Sequence, residues 1–239
     1  MDETLIQEIK RHAAQTYPQE CCGLVILQDG QPRYIPCRNT ADNPAVHFRI
    51  APEDYARAED QGDVVGIVHS HPDATSQPSE LDRAQCDVTE LPWHILSWPE
   101  GDLRTIYPRG DLPLIGRPFV LGVYDCWGLI MSYFRQEHGI ELRDYRVDYH
   151  WWEAGHTENF YQDCWYECGF REFDGPPQPG DMVIMQVRAP RWNHAGILLE
   201  GNMLLHHLYG HQSGRTPYGG YWRERTMKIV RHRDLMGEV

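Results

Sequence analysis

Residues 64–82 read Val64-Val65-Gly66-Ile67-Val68-His69-Ser70-His71, then Pro72 to Pro78, then Ser79-Glu80-Leu81-Asp82. A short apolar run leads straight into two histidines spaced two apart. That is the pattern of a buried strand whose side chains at 69 and 71 leave one face. Pro78-Ser79 reads as a helix start and places Asp82 in the first turn. Two imidazoles and one carboxylate are the three protein ligands that a catalytic zinc takes while keeping a fourth position for water. The water needs a base, and Glu20, just ahead of the apolar run Gly23-Leu24-Val25-Ile26-Leu27, can supply it. Taken alone, Ser79 also reads as an N-cap and Asp82 as a first-turn acid favoured by the helix dipole.

The segments around this motif describe a mixed α/β unit. Leu5, Ile6, Ile9, Ala13 and Tyr17 lie on one stripe, giving an amphipathic helix that ends near Pro18. The run 23–27 is closed by Asp29-Gly30, a hairpin turn signal, with Tyr34-Ile35-Pro36 as the returning strand. Pro52-Glu53-Asp54 opens a second helix, and His94–Trp98 and Leu103–Tyr107 read as strands. Pro108, Gly110, Pro113, Gly116 and Pro118 then crowd one stretch. The expected organisation is a first domain at 1–108, a linker at 109–118 and a second domain at 119–239.

In the second half, Tyr124-Asp125-Cys126-Trp127-Gly128 sets a cysteine at the start of a helix spanning 126–134. Unpaired amides there favour thiolate over thiol. Asn193-His194-Ala195-Gly196-Ile197 places a histidine at the entrance of a later strand, where it can serve as base. A turn at Glu200-Gly201-Asn202 brings His206 back toward His194 as an orienting group, whereas His207 points to the opposite face and is the weaker candidate. Strands are expected at 182–187, 195–199 and 203–208. Cys164 and Cys168 have helical spacing and read as buried packing, as do Cys37, Cys86 and His47.

Bulk composition narrows the functional classes. The 239 residues are 41% hydrophobic and 24% charged, enough apolar surface for a packed core. Net charge is −13, with −9 in residues 1–110 and −4 in residues 111–239. Neither half presents the basic face that nucleic acid as main ligand requires. No apolar run reaches the roughly 18 residues of a membrane span, and the acidic start Met1-Asp2-Glu3 is unlike a secretory signal. Seven cysteines, with no CxxC pair, point to reduced thiols rather than a disulfide scaffold.

The first-half pattern, with the opening segment Pro18-Gln19-Glu20-Cys21-Cys22-Gly23-Leu24, resembles the JAB/MPN family of zinc isopeptidases. The resemblance implies a cytidine-deaminase-like fold, zinc on His69, His71 and Asp82, Glu20 as general acid/base, and Ser79 beside the oxyanion. The second-half residues, with Pro179-Gly180-Asp181-Met182-Val183, resemble the NlpC/P60 family of cell-wall endopeptidases. This implies a papain-like α+β domain with Cys126 as nucleophile, His194 as base, His206 as orienting residue and Tyr124 near the oxyanion. Trp127 departs from that family, where the residue after the nucleophile is commonly small. Together the two halves resemble the tail assembly protein K group of long-tailed bacteriophages. That combination implies a hydrolase carried at the virion tail tip after synthesis in the host cytoplasm, with peptidoglycan peptides and tail tip proteins as partners. The alternative is a structural assembly protein that uses two enzyme-like folds as docking modules.

Overall fold

The computed structural model describes residues 1–237 and divides into two compact units, one ending at Gly110 and the other starting at Asp111. Among the described residues, no helix is long and apolar enough to cross a membrane.

The first unit runs α1 (Glu3–Thr16), β1 (Cys22–Gln28), β2 (Gln31–Cys37), α2 (Pro52–Glu59), β3 (Asp63–Pro72), α3 (Glu80–Thr89), β4 (Trp93–Trp98) and β5 (Leu103–Ile106). Its sheet has the order β2-β1-β3-β4-β5. Only β3 and β4 pair in parallel, and α3 is the crossover between them. Both faces of the sheet are covered, and the alternation along β1 shows why. Cys21 and Val25 pack with Leu5, Ile9 and Ala13 of α1, while Cys22, Leu24 and Ile26 pack with Ala58 of α2 and Cys86 of α3. The Asp29-Gly30 turn takes both residues to positive φ, as the hairpin requires.

The second unit runs α4 (Cys126–His138), α5 (Phe160–Asp163), β6 (Phe170–Arg171), β7 (Met182–Met185), β8 (His194–Leu199), β9 (Met203–His206), β10 (Gly214–Pro217), α6 (Gly220–Glu224) and β11 (Thr226–His232). A six-stranded sheet orders these as β10-β9-β8-β7-β11-β6. Leu129, Ile130 and Phe134 of α4 bury against Met182, Ile184, Ala195 and Ile197, and the alternate residues Val183, Met185 and Leu198 form a second core beyond the sheet. The Pro179–Val183 segment has a structural role. Fully buried Asp181 binds the Arg231 guanidinium through both oxygens, at 2.6 and 2.9 Å, tying the start of β7 to β11.

The boundary between the units falls within residues 109–118, the expected linker, where Arg109 pairs with Asp87 at the end of α3 and buried Arg117 bonds Ser132 Oγ and the Pro113 carbonyl. Other expectations change. Cys164 and Cys168 do not share a helix, because α5 is only four residues long and Cys164 already caps its end. Cys37 and Cys86 are buried as expected, but His47 is exposed, on the loop between β2 and α2. The strands β6, β10 and β11 lie outside the expected set.

Candidate active sites

In the first unit, β3 carries both histidines to the face that α3 covers. His69 Nε2 and His71 Nε2 lie 3.0 Å apart, and Asp82 meets them with Oδ1 at 3.2 Å and Oδ2 at 3.4 Å respectively. Asp82 is fixed from behind by a capping box at the start of α3. Its Oδ2 accepts from the Ser79 amide at 2.7 Å and the Ser79 hydroxyl at 2.8 Å, while Ser79 Oγ accepts from the Asp82 amide. Ser79 is therefore an N-cap whose hydroxyl is turned onto the carboxylate.

The donor set suits a small divalent cation. Bonds of about 2.0–2.1 Å at tetrahedral angles separate neighbouring donors by roughly 3.3 Å, and the three observed separations bracket that value. His71 Nδ1 lies 2.8 Å from the Thr75 carbonyl. The carbonyl can only accept, so Nδ1 carries a proton; the protonated ring also donates from Nε2 to Asp82, and the neutral ring that a metal requires turns the Nε2 lone pair to the cluster. His69 Nδ1 is buried without a hydrogen-bond partner. Its ring is oriented instead by stacking on Phe48 at 4.6 Å and by the edge of Trp93 at 5.5 Å. Burial works against ionisation of Asp82, but the hydrogen bonds from His69, His71 and Ser79 prevail and hold it well below the usual carboxylate range. Glu20 is 5% exposed. Burial raises it to about 7, the His71 charge opposing and Asp82 adding to the rise.

In the second unit, Cys126 opens α4 behind the N-cap Asp125, which accepts from the amides of Gly128 and Gly122. The chain before the helix passes so near that a Cβ at position 128 would stand 2.3 Å from the Val123 carbonyl oxygen. Cys126 and His194 line one cavity of about 490 Å³ whose walls are rich in aromatic side chains. His194 Nε2 lies 3.1 Å from His206 Nδ1, and His206 Nε2 lies 3.1 Å from Thr216 Oγ1 on β10. Trp222 covers His206 at 4.4 Å between ring centroids. With Nε2 engaged, Nδ1 is the His194 nitrogen that remains to accept a proton.

The electrostatics differ from the helix-dipole expectation. Burial, aided by the Asp125 charge, pushes the Cys126 thiol up to about 12, against hydrogen bonds from Tyr161 and the amides of Ala195 and Trp127. Burial and the neighbouring histidines push His194 well below the usual imidazole range. The resting pair is thiol and neutral imidazole.

His207 also lines the cavity but stands outside the His194–His206–Thr216 line, with Nε2 3.2 Å from the His211 carbonyl and its ring against Phe119. Tyr124 is buried with the Arg117 guanidinium over its ring and is not among the residues lining the cavity. The hydroxyl that meets Cys126 Sγ, at 3.1 Å, belongs to Tyr161. Sequence reasoning misses Tyr161, Thr216 and Phe48. Only for Tyr161 is there a signal, the aromatic richness of the stretch between α4 and the sheet.

The comparisons with known proteins agree with this division. Residues 2–107 match the prokaryotic homologs of the JAB domain, and residues 116–231 match the NlpC/P60 family. Desampylase of Haloferax volcanii is 30% identical over 118 residues, which cover 46% of this chain and 84% of that protein. Tail tip assembly protein K of Escherichia phage lambda is 34% identical over 186 residues, 77% of this chain and 89% of that one. The protein of the same name from Escherichia phage N15 is 72% identical over 237 residues, 99% of this chain and 98% of that one. A JAB-type unit followed by an NlpC/P60-type unit, with this similarity along nearly the whole length, means that the chain belongs to the tail tip assembly protein K family.

Proposed function

We propose that this chain is a two-site hydrolase of the phage tail tip, in which the second unit is a cysteine endopeptidase acting on peptidoglycan peptides and the first a zinc-dependent (iso)peptidase. The observation that carries the reading is the line Thr216, His206, His194 ending at the cavity that Cys126 opens into. In this reading His206 donates from Nε2 to the Thr216 hydroxyl oxygen and accepts at Nδ1 from His194 Nε2–H, the arrangement that leaves His194 Nδ1 unprotonated. That nitrogen takes the Cys126 proton as sulfur attacks the scissile carbonyl. It returns the proton to the leaving amine, and then activates the water that releases the acyl group. Trp127 narrows the groove beside the nucleophile, so it bears on which peptide fits more than on the chemistry.

In the first unit, His69, His71 and Asp82 would hold zinc, which when bound polarises the scissile carbonyl and activates water. Glu20 would take the proton from that water and pass it to the amine that leaves, a role suited to a carboxylate poised near neutrality. Ser79 would act chiefly through Asp82. The names of the phage relatives support a place in the virion tail and partners among tail proteins.

The test is mass spectrometry of wall fragments released by the wild type, by Cys126→Ala and by the double variant His69→Ala/His71→Ala. A peptide product that disappears only with Cys126 supports the cysteine site. Equal digestion with and without Cys126 rejects it.

A further inference from the structure

Cys126 has a side-chain hydrogen bond that the cysteine–histidine chemistry above does not use. Tyr161 Oη lies 3.1 Å from Sγ, and Tyr161 is 6% exposed. It comes from α5, 35 residues beyond the nucleophile. Two rings hold it there. Trp127, immediately after the nucleophile, meets the Tyr161 ring edge-on at 6.0 Å, and Trp151 packs at 6.2 Å. The large residue at 127 thus forms the wall against which Tyr161 is set.

While sulfur is a thiol, either atom can donate. Once sulfur is a thiolate, only the phenol can. The groups around Sγ are few. Asp125, on the same helix end, opposes negative charge, and the amides of Ala195 and Trp127 favour it. His194 faces the same cavity as a neutral ring, with His206 and His207 as its own neighbours. Arg146 acts on Asp125 from the following loop, and Cys168 lies near Tyr161. Tyr161 is the one side chain among the described residues in direct hydrogen-bond contact with sulfur, and burial and the adjacent sulfur keep its proton in place.

We propose that Tyr161 is a catalytic residue, the hydrogen-bond donor that receives the Cys126 thiolate when the thiol proton passes to His194. The inference rests on the reading of Cys126 as nucleophile. In the step, the S–H bond breaks and its proton goes to His194 Nδ1. Tyr161 keeps its own proton and shares it with the sulfur lone pair. As the S–C bond forms, the carbonyl π electrons move to oxygen, charge leaves sulfur and the Tyr161 bond relaxes. A neutral donor to an ionised sulfur is among the stronger hydrogen bonds, so its removal should raise the thiol pKa by about one unit.

The experiment is alkylation of the full chain by iodoacetamide, read by mass spectrometry on the Cys126 peptide because six other cysteines are present. It is run on the wild type, Tyr161→Phe, and a chain carrying 3-fluorotyrosine at position 161. Below the thiol midpoint the Phe variant should react about threefold more slowly, because the tenfold loss of thiolate is partly offset by the greater nucleophilicity of a more basic thiolate. The fluorotyrosine chain, a stronger donor, should react faster than the wild type. It also decides the matter if the Phe variant fails to fold. A rate that is unchanged or faster in Tyr161→Phe, or slower with fluorotyrosine, overturns the proposal. Wall-peptide hydrolysis measured on the same samples separates the two claims. The expected order of alkylation rates without any hydrolysis rejects the peptidase reading and keeps Tyr161 as donor, whereas hydrolysis with no change in alkylation rejects Tyr161 alone.

Discussion

His206 stands between two polar partners, His194 at 3.1 Å on one ring nitrogen and Thr216 at 3.1 Å on the other. The first contact engages Nε2 of His194 and leaves Nδ1 for the cavity, and the second holds the His206 ring. Replacing His206 by Ala should lower kcat for wall-peptide cleavage by roughly two orders of magnitude or more with KM within a few fold, since orientation of the base matters chiefly in the transition state. Thr216→Val should cost only about threefold to tenfold. Steady-state kinetics on a muropeptide checks both, and equal losses in the two variants would contradict this division.

The first unit should purify with about one zinc per chain. Asp82→Ala and His69→Ala/His71→Ala should lose it, whereas Glu20→Gln should keep the metal and lose isopeptide hydrolysis. Elemental analysis beside an activity assay separates the ligands from the proton carrier. A Glu20→Gln protein without metal would move Glu20 into the ligand set.

Stability of the second unit should depend on pH through its buried histidines. Burial lowers both His206 and His207 to about 4, from an ordinary 6.5. Between those values the unfolded chain binds the protons and the folded one does not, so stability falls as pH drops from 6.5 toward 4. His207 alone accounts for about 3 kcal/mol as an upper figure. Scanning calorimetry across that range should show one of two transitions moving down steeply, and less steeply in His207→Phe.

Gly128→Ala should destabilise the second unit by about 2 kcal/mol. The added methyl would press on the Val123 carbonyl, a backbone group that cannot rotate away. Because the displaced element carries Cys126, activity should fall further than the melting temperature alone explains. A variant with unchanged melting and activity would show that the loop yields.

The first unit is nearly all legible in the sequence because its signals are local. The alternation of Leu24, Ile26 and Val25, the Asp29-Gly30 turn and the His-x-His step each lie within a few residues; the expected ranges match β1 and β3 closely and fall inside β2, which starts three residues earlier than expected. The cluster of His69, His71 and Asp82 is legible for the same reason, its members lying within fourteen residues. In the second unit the apolar strands β7, β8 and β9 can be read, but β10 cannot. Gly214-Arg215-Thr216-Pro217 is an edge strand with no apolar face, and it is a strand only because β9 lies beside it. Thr216 goes unread with it. Tyr161 escapes notice because nothing local distinguishes one aromatic residue among many. It gains meaning only when α5 meets the start of α4.

The clasp that Ser79 places on Asp82 bears on timing. A carboxylate already held by a hydroxyl and an amide keeps its position without help from a cation. Under the proposed zinc reading, folding of the first unit and loading of its site would be separable events, unlike small zinc modules that collapse when stripped. Such a chain would be built into a larger assembly empty and armed afterwards, with metal supply rather than folding deciding when it becomes competent.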